Sequence, residues 1–277
     1  MPFDRSPAAV AALARHFHTL HAGPGLLRLP NAWDAGSARL VTAQGASAVA
    51  TSSAAVAWAQ GYGDGDKLPV ARLLQVVEAI TDACDNQPVT IDIESGYSDD
   101  PAAVAALAGQ LMALGVVGIN LEDGNGPADV LAAKIAAVRR VADGAAIDLF
   151  INARTDVWLR GTLPADARVD DALARAARYR DAGASGLFVP ALVDPDGLAR
   201  VVDGARLPVN VLAWTGLPDP AALERLGVRR LSAGSGLAEH ANGLLAAMTR
   251  TFLREGRVDG GGVTPLSWSD LNGVMGR

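Results

Sequence analysis

The sequence predicts a (β/α)8 TIM barrel, and three observations support this fold class. Eight short apolar strand candidates alternate with eight helical segments along the 277 residues, which is the repeat number of such a barrel. Four helix-to-strand turns open with a glycine and enter an apolar strand, at Gly45, Gly115, Gly183 and Gly227. Polar side chains end three consecutive strands in the middle of the chain. The alternative, a doubly wound sheet, rarely reaches eight units with polar residues at so many strand ends.

Short apolar runs bounded by turn signals define the strand candidates. They are Leu26–Pro30, Ala48–Ser52, Val89–Glu94, Gly118–Glu122, Leu149–Arg154, Gly186–Pro190, Val209–Ala213 and Arg230–Ser232. The helical segments are Ala35–Gln44, Val70–Asp85, Pro101–Leu114, Ala128–Ala142, Asp170–Ala182, Pro195–Val202, Pro220–Leu226 and Leu237–Arg254. A further surface helix near the amino terminus is predicted to be capped at Asp4 or Ser6 and to carry His16, His18 and His21 as surface residues.

The chain divides at residue 254 into two parts. Residues 1–254 are predicted to form the barrel with its N-terminal helix, and residues 255–277 a glycine-rich connector, Gly260–Gly262, and a C-terminal helix carrying Trp268. Because eight strand–helix units already complete a barrel, this extra helical segment is expected to pack on the barrel surface or on a neighbouring subunit.

Composition excludes several classes of protein. The chain is 50% hydrophobic with a net charge of −6, which does not indicate a nucleic-acid-binding surface. No apolar run reaches the length of a transmembrane helix, and no membrane partner is expected. Cys84 is the single cysteine, so neither an internal disulfide nor a cysteine zinc cluster can form. A cytoplasmic enzyme is the expectation.

Carboxylates at the ends of the middle strands suggest a metal site. Asp92 and Glu94 are expected to share one strand face, and Glu122 to follow at the end of the next strand. Active sites of such barrels lie at the carboxyl ends of the strands. Oxygen ligands without histidine favour Mg²⁺ or Mn²⁺ over zinc. The alternative is that these acids pair with Arg or Lys inside the barrel and are purely structural.

Arg154 ends the fifth strand candidate. Its guanidinium matches the geometry of a carboxylate or a phosphate. It could instead form an ion pair with Glu122 across the barrel mouth, and both roles are compatible.

The exit of the second strand candidate supplies a possible anion site. Thr51, Ser52 and Ser53, with the N–H groups that follow, could hold a carboxylate at a strand-to-loop turn. Asp64 lies on a glycine-rich loop, for which a solvated turn is the alternative. Trp33 ends the first strand candidate, and Tyr97 could reach the pocket or merely form part of its wall.

Five segments together resemble the isocitrate lyase/phosphoenolpyruvate mutase family. They read PNAWDAGSARL, ATSSAAVAWAQGYGD, TIDIESGYS, INLEDG and INARTDVWL. The resemblance implies that Asp92 ligates Mg²⁺ directly and that Glu94, Glu122 and Asp64 hold metal-bound waters. It further implies that Ser52, Ser53 and Ala54 receive a substrate carboxylate and that Arg154 grips the substrate.

The same resemblance implies an activity and an assembly. The family binds 2-oxo acids or their enol forms, stabilises an enolate on the metal, and breaks or makes an adjacent C–C or P–C bond. Family members usually form tetramers that exchange C-terminal helices, so a homo-oligomer is expected, either a dimer or a tetramer.

The chain departs from the family pattern after Glu122. Lyases of the family carry a long mobile loop there, with a cysteine as proton donor, whereas this chain reads GNGPADVLAAK and enters a helix. No lysine occurs in that stretch before Lys134. The departure indicates a short-loop member of the family that lacks the lyase Cys loop. It argues against cleavage of isocitrate or methylisocitrate, and against the phosphonomutase reaction as well.

Three functions follow from these observations. The first is a Mg²⁺-dependent lyase that acts on a small 2-oxo acid or dicarboxylate through an enolate, by C–C cleavage or decarboxylation, with water or Tyr97 as proton donor. The second is P–C bond chemistry, as in a phosphonate mutase or hydrolase or a carboxyvinyl-carboxyphosphonate phosphorylmutase. The third is a catalytically silent barrel that binds a metabolite.

Overall fold

The computed structural model describes residues 3–84, 86–124, 126–161, 163–258 and 262–276. Its strands are β1 (Leu27–Leu29), β2 (Asn31–Ala32), β3 (Val49–Thr51), β4 (Val89–Asp92), β5 (Gly118–Glu122), β6 (Phe150–Arg154), β7 (Gly186–Phe188), β8 (Val209–Leu212) and β9 (Arg230–Ser232). Its helices are α1 (Pro7–Ala22), α2 (Ala35–Ala43), α3 (Ser53–Ala59), α4 (Val70–Ala83), α5 (Pro101–Ala113), α6 (Ala128–Gly144), α7 (Val157–Arg160), α8 (Arg168–Asp181), α9 (Pro195–Ala205), α10 (Pro220–Arg225), α11 (Gly236–Glu255) and α12 (Trp268–Met275).

The strands form one parallel sheet that closes on itself. The order is β1-β9-β8-β7-β6-β5-β4-β3-β2, and β1 and β2 are consecutive in the chain on either side of Pro30. Pro30 has no N–H to donate to the sheet, which interrupts the strand, while its carbonyl still accepts from the N–H of Ala50 at 3.1 Å. The predicted (β/α)8 barrel is therefore confirmed, with its first strand in two pieces.

Glycine ends four helices where the sequence predicted it. Gly45, Gly115, Gly183 and Gly227 have φ angles of 87°, 93°, 103° and 86°. A side chain makes this left-handed conformation unfavourable, so these glycines terminate each helix and direct the chain into the next strand.

Two short helices near the carboxyl end of the barrel were not predicted from the sequence. Residues Ser53–Ala59 form α3, capped by the hydroxyl of Ser52, where a loop was expected. The four-residue α7 follows Arg154 closely. Both are too short to give a helical apolar period, which explains why the sequence did not reveal them.

The N-terminal helix α1 covers the amino end of the barrel instead of lying on the surface. Ser6 is its N-cap, as predicted, but Phe17 and His21 are buried. The ring of His21 stacks on Phe150 at the start of β6, with 3.9 Å between centroids, so its prediction as a surface residue was wrong. A Cβ at Gly118 would lie 2.8 Å from the Phe17 ring, which shows how closely α1 approaches the strands.

The predicted C-terminal helix exists as α12 and lies against α2 of the same chain. The Met275 methyl group is 3.8 Å from the position that a Cβ would take at Gly36. Within the connector, Gly260 and Gly261 lie outside the described residues. Among the described helices, none has the length and apolar character needed to cross a membrane.

Candidate active site

A cavity of about 170 Å³ opens at the carboxyl end of the barrel strands. Six of the residues predicted for the site line it. They are Ser52, Ser53, Ala54, Asp64, Asp92 and Arg154. The N-terminal face is covered by α1, so this cavity lies at the end where barrel enzymes carry their active sites.

Asp92 ends β4 at the floor of the cavity. It is 8% exposed, and its N–H donates to the hydroxyl of Thr51 at 3.0 Å. One carboxylate oxygen accepts the backbone N–H of Glu94 at 3.1 Å. Its register partner on β5 is Asn120, which lines the same cavity. The Asp92 backbone is thus held by β3, and its carboxylate by the turn that follows β4.

Arg154 ends β6 and is held by two acids. Its Nη1 lies 2.7 Å from Glu122, the predicted ion-pair partner and its register partner on β5. Its Nε and Nη2 lie 2.7 and 3.1 Å from the two carboxylate oxygens of Asp156. These contacts occupy three of the five N–H donors of a guanidinium. The guanidinium carbon lies 5.8 Å from the centre of the Phe188 ring.

Glu94 does not share the face of Asp92 as predicted. The strand ends at Asp92, and Glu94 has a φ of 53°, so the chain turns before the alternation can continue. Its carboxylate accepts the hydroxyl of Tyr97 at 3.0 Å and the backbone N–H of Asp66. Glu94 therefore lines a second cavity of about 310 Å³, beside the first one.

Glu122 also lines this second cavity, together with Asp66 and Lys134. The ammonium group of Lys134 is buried and donates to the carbonyl of Ser95 at 2.9 Å. The second cavity therefore borders the segment after β5, where the chain departs from the family pattern.

Besides Glu94 and Glu122, two further predicted site residues lie away from the walls of the first cavity. The Tyr97 hydroxyl donates a hydrogen bond to Glu94. The geometry therefore does not support the predicted role of Tyr97 as proton donor. Trp33 is half-buried among apolar residues before α2, and its backbone N–H donates to Ser37 at 3.0 Å. Neither residue is among those lining the cavity.

The acids at this end of the barrel repel one another. Burial raises the pKa of the Asp92 carboxyl, Arg154 lowers it, and the nearby Asp64 raises it further. Burial also raises the pKa of Glu122, which Arg154 opposes and Asp92 and Glu94 reinforce. Five carboxylates thus lie around the one guanidinium that lines the cavity, namely those of Asp64, Asp92, Glu94, Glu122 and Asp156. This excess of negative charge favours the binding of a cation.

A divalent ion that keeps most of its water ligands fits these residues better than an ion ligated entirely by side chains. Among the described residues, no three His, Cys, Asp or Glu side chains converge closely enough to ligate an ion together. Mg²⁺ typically binds through one or two carboxylates and keeps several waters. Asp92 as a direct ligand, with the other acids acting through water, satisfies that requirement.

Sequence reasoning missed several lining residues. Asp156, which binds Arg154 from behind and does not itself line the cavity, was also not singled out, although it stands two residues after Arg154 in the segment INARTDVWL. Leu159 and Trp214 follow β6 and β8 and had no signal in the sequence. The other lining residues outside the predicted set of site residues are Asn31, Asn120, Phe188, Pro190, Leu212, Ser232, Gly234 and Ser235.

A (β/α)8 barrel with an acidic, arginine-containing site at its carboxyl end defines the class of this protein. The profile of the family described as phosphoenolpyruvate phosphomutase matches residues 17–253. The chain belongs to this family, within the isocitrate lyase/phosphoenolpyruvate mutase superfamily, as the resemblance predicted.

Three relatives illustrate the range of similarity. An uncharacterized protein of Mycobacterium tuberculosis (strain ATCC 25618 / H37Rv) is 39% identical over 83% of this chain and 85% of its own length. The 2-methylisocitrate lyase of Bacillus subtilis (strain 168) is 29% identical over 73% of this chain and 66% of its own. A Burkholderia cenocepacia J2315 structure, provisionally described as a phosphonomutase, is 42% identical with a TM-score of 0.81, covering 86% of this chain and 99% of its own.

Proposed function

We propose that the protein is a divalent-metal-dependent lyase that breaks a C–C bond of a small 2-oxo acid or dicarboxylate. Retro-aldol cleavage and decarboxylation are the two simplest reactions, because each leaves an enolate that needs only one proton. The supporting observation is that a buried carboxylate, Asp92, and a fixed guanidinium, Arg154, line one cavity together with Ser52 and Ser53.

The proposal gives each group a role. Asp92 would hold Mg²⁺ or Mn²⁺ directly, and Glu94, Glu122 and Asp64 would hold waters of its hydration shell. The bound ion would supply Lewis-acid stabilisation of negative charge on the substrate. Arg154 would bind an anionic group of the substrate through its guanidinium.

The substrate carboxylate would lie beside the ion, on the side of the cavity formed after β3. Ser52, Ser53 and Ala54 line that side at the start of α3, where hydroxyl and N–H groups can donate to it. Tyr97 positions Glu94 in this proposal, and water reaching the cavity delivers the proton.

P–C bond chemistry is the second candidate, because the matching family is described as phosphoenolpyruvate phosphomutase. It would use the same cavity, with Arg154 facing a phosphonate or phosphoenol group. Incubation with phosphonopyruvate, followed by ³¹P NMR, separates the candidates. Phosphate release or a new phosphorus resonance would favour P–C chemistry, and an unchanged spectrum would favour C–C cleavage.

Thermal unfolding with Mg²⁺ and oxalate tests the proposed site. A ligand at one hundred times its Kd adds about 2.7 kcal/mol, which raises the Tm of a chain of this size by several degrees. Asp92→Asn should lose this rise, whereas Asp203→Asn, a change of an exposed acid on α9, should retain it. A full rise in Asp92→Asn would refute Asp92 as the metal ligand. Stabilisation without turnover of any 2-oxo acid would indicate the silent barrel.

We also propose that a second copy of the chain covers part of the two C-terminal helices. Large apolar side chains are exposed there, among them Leu245, Leu253 and Trp268. Sedimentation equilibrium should show a dimer or tetramer that Leu253→Glu weakens. Trp58→Glu, a change of an exposed side chain on α3, should leave it intact. A monomeric wild-type chain would contradict this assembly.

A further inference from the structure

The cavity at the carboxyl end of the barrel has walls of two different characters. The polar side carries Ser52, Ser53, Asp64 and Asp92, from β4 and the segment after β3. The facing side is formed by α7, which follows β6 in the chain, and by β7 and β8, the next two strands in the sheet, with the turns after them. Its side chains are Leu159, Phe188, Pro190, Leu212 and Trp214. The apolar residues therefore form one continuous wall rather than scattered contacts.

The charges that line the cavity match a ligand with a single anionic group. Arg154 is the only Lys, Arg or His among the described residues that line it, and two acids, Asp64 and Asp92, lie on the polar side. Arg154 already offsets Glu122 and Asp156. One carboxylate could be held by Arg154 and the serines, beside an ion on Asp92. A second carboxylate would face the apolar wall, whose side chains carry no cation and a single donor, the indole N–H of Trp214 at the rim.

Burial of an unpaired carboxylate against hydrocarbon is strongly unfavourable. An alkyl group in the same position would instead gain from burial, at about 25 cal/mol per Å² of apolar surface. The cavity volume of about 170 Å³ equals the share of about six waters in the liquid, which suits a small acid with a short side chain. Trp214 is 49% exposed and stands at the rim, so it can cover the far end of such a ligand.

We infer that the substrate is a monocarboxylic 4-hydroxy-2-oxo acid whose far end is a short, uncharged alkyl group, recognised by the wall of Leu159, Phe188, Pro190, Leu212 and Trp214. Retro-aldol cleavage breaks its C3–C4 bond: the 4-hydroxyl loses its proton to water, C4 leaves as an alkyl aldehyde, and the electron pair of the bond forms the pyruvate enolate, which takes a proton from water at C3. This inference rests on the proposed function, because it takes the polar side as the place of the ion and the carboxylate. It narrows the substrate from dicarboxylates and phosphonates to acids with one charge.

Two isosteric acids test the inference by binding alone. Malate and 2-hydroxy-4-methylpentanoate share the same hydroxy-acid end, and differ in having a carboxylate or an isopropyl group at the far end. Titration calorimetry in the presence of Mg²⁺ should show the alkyl acid binding at least about tenfold more tightly, which corresponds to about 1.4 kcal/mol. Equal or tighter binding of malate would overturn the inference.

Oxalate, which has no far end, separates failure of the inference from failure of the proposed function. If oxalate with Mg²⁺ does not bind, the proposed site itself is wrong. If oxalate binds and malate is preferred over the alkyl acid, only the inference fails.

A cation placed on the apolar wall should reverse the preference. Trp214→Arg changes a half-exposed residue at the rim, so the fold should tolerate it, and we expect the affinity ratio to shift at least about tenfold toward malate. Trp58→Arg is the matched control, because Trp58 is 40% exposed on α3 and does not line the cavity. An unchanged ratio in Trp214→Arg would show that this wall does not face the far end of the ligand.

Discussion

Asp156 fixes the orientation of Arg154 through two hydrogen bonds, with Nε 2.7 Å from Oδ1 and Nη2 3.1 Å from Oδ2. The Asp156 side chain is fully buried, and its backbone N–H donates to Asp123 at 2.9 Å. Asp123 in turn accepts from Tyr179 at 2.7 Å and from Arg175 at 2.9 Å. A chain of buried polar groups thus connects α8 with the guanidinium at the cavity, and Asp156 is its last member.

Asp156→Asn should weaken binding of the substrate carboxylate. The amide retains the backbone anchor on Asp123 but loses the charge and one of the two acceptors for Arg154. Hydrogen bonds to charged groups contribute about 1.5–3 kcal/mol, so we expect oxalate to bind about 10- to 100-fold more weakly in calorimetry with Mg²⁺. Asp170→Asn, which removes the exposed partner of Arg200, is the control. A folded Asp156→Asn protein with wild-type affinity would show that this pair does not position Arg154.

Tyr97→Phe distinguishes positioning from proton transfer. The Tyr97 hydroxyl donates to Glu94 at 3.0 Å, so its removal should weaken Mg²⁺ binding several-fold. At saturating Mg²⁺, kcat should remain within about threefold of wild type, because loss of a general acid typically costs about 10²- to 10⁴-fold. Tyr62→Phe, in the exposed segment after α3, should change neither quantity. A hundredfold loss of kcat at saturating Mg²⁺ would restore Tyr97 as the proton donor.

The sequence predicted the barrel well because its signals are local and repeated. The glycines at four helix ends must adopt positive φ angles, and the structure shows that they do. The division of the first strand followed from Pro30 but was not predicted, because the effect depends on which neighbour each half of the strand pairs with. Pairing of β1 with β9 is a contact between the two ends of the barrel that local sequence does not encode.

Strand geometry explains why two of the predicted side chains reach the cavity. Asp92 and Arg154 are both the last residues of their strands, and both face the cavity. Glu94 was placed wrongly because the period of two was extended past the end of the strand into a turn. Three residues of that turn, Glu94, Gly96 and Tyr97, have positive φ angles. The sequence indicates such a backbone conformation only at the glycine.

His21 should make stability depend on pH below neutrality. Burial lowers its pKa from 6.5 to about 3, Arg230 adds to the decrease, and the hydrogen bond to the Phe17 carbonyl opposes it. Between these values the unfolded chain binds a proton that the folded chain does not, so the free energy of unfolding falls as the pH falls. One such proton gives a slope of about 1.4 kcal/mol per pH unit. Urea unfolding of His21→Gln should show a slope smaller by that amount, and the exposed His16→Gln should serve as the control. An unchanged slope would show that His21 is protonated in the folded protein.

Arg230 is the largest fully buried side chain among the described residues, and it lies just below the cavity floor. Its Nε donates to the hydroxyl of Ser232 at 3.0 Å, and its Nη2 lies 3.4 Å from the side-chain oxygen of Asn120. Its Nη1 has no hydrogen-bond partner in the described part of the chain. Burial lowers the pKa of Arg230 to about 9, and Asp92 opposes this. The guanidinium is therefore a desolvated charge that no carboxylate of the described residues contacts.

Replacement of Arg230 by a residue without charge should stabilise the fold. The desolvation penalty of a buried ion amounts to several kcal/mol, and hydrophobic replacements of buried charges have stabilised other proteins by about 1–4 kcal/mol. We expect Arg230→Met to raise the free energy of unfolding in urea by an amount in that range, because Asn120 and Ser232 keep other partners in Asn152 and Asn210. Arg229→Met is the matched control, since the Arg229 side chain instead donates to the carbonyl of Gly23. A destabilisation of about 3–5 kcal/mol would mean that Arg230 compensates a buried negative charge, with Asp92 as the nearest candidate.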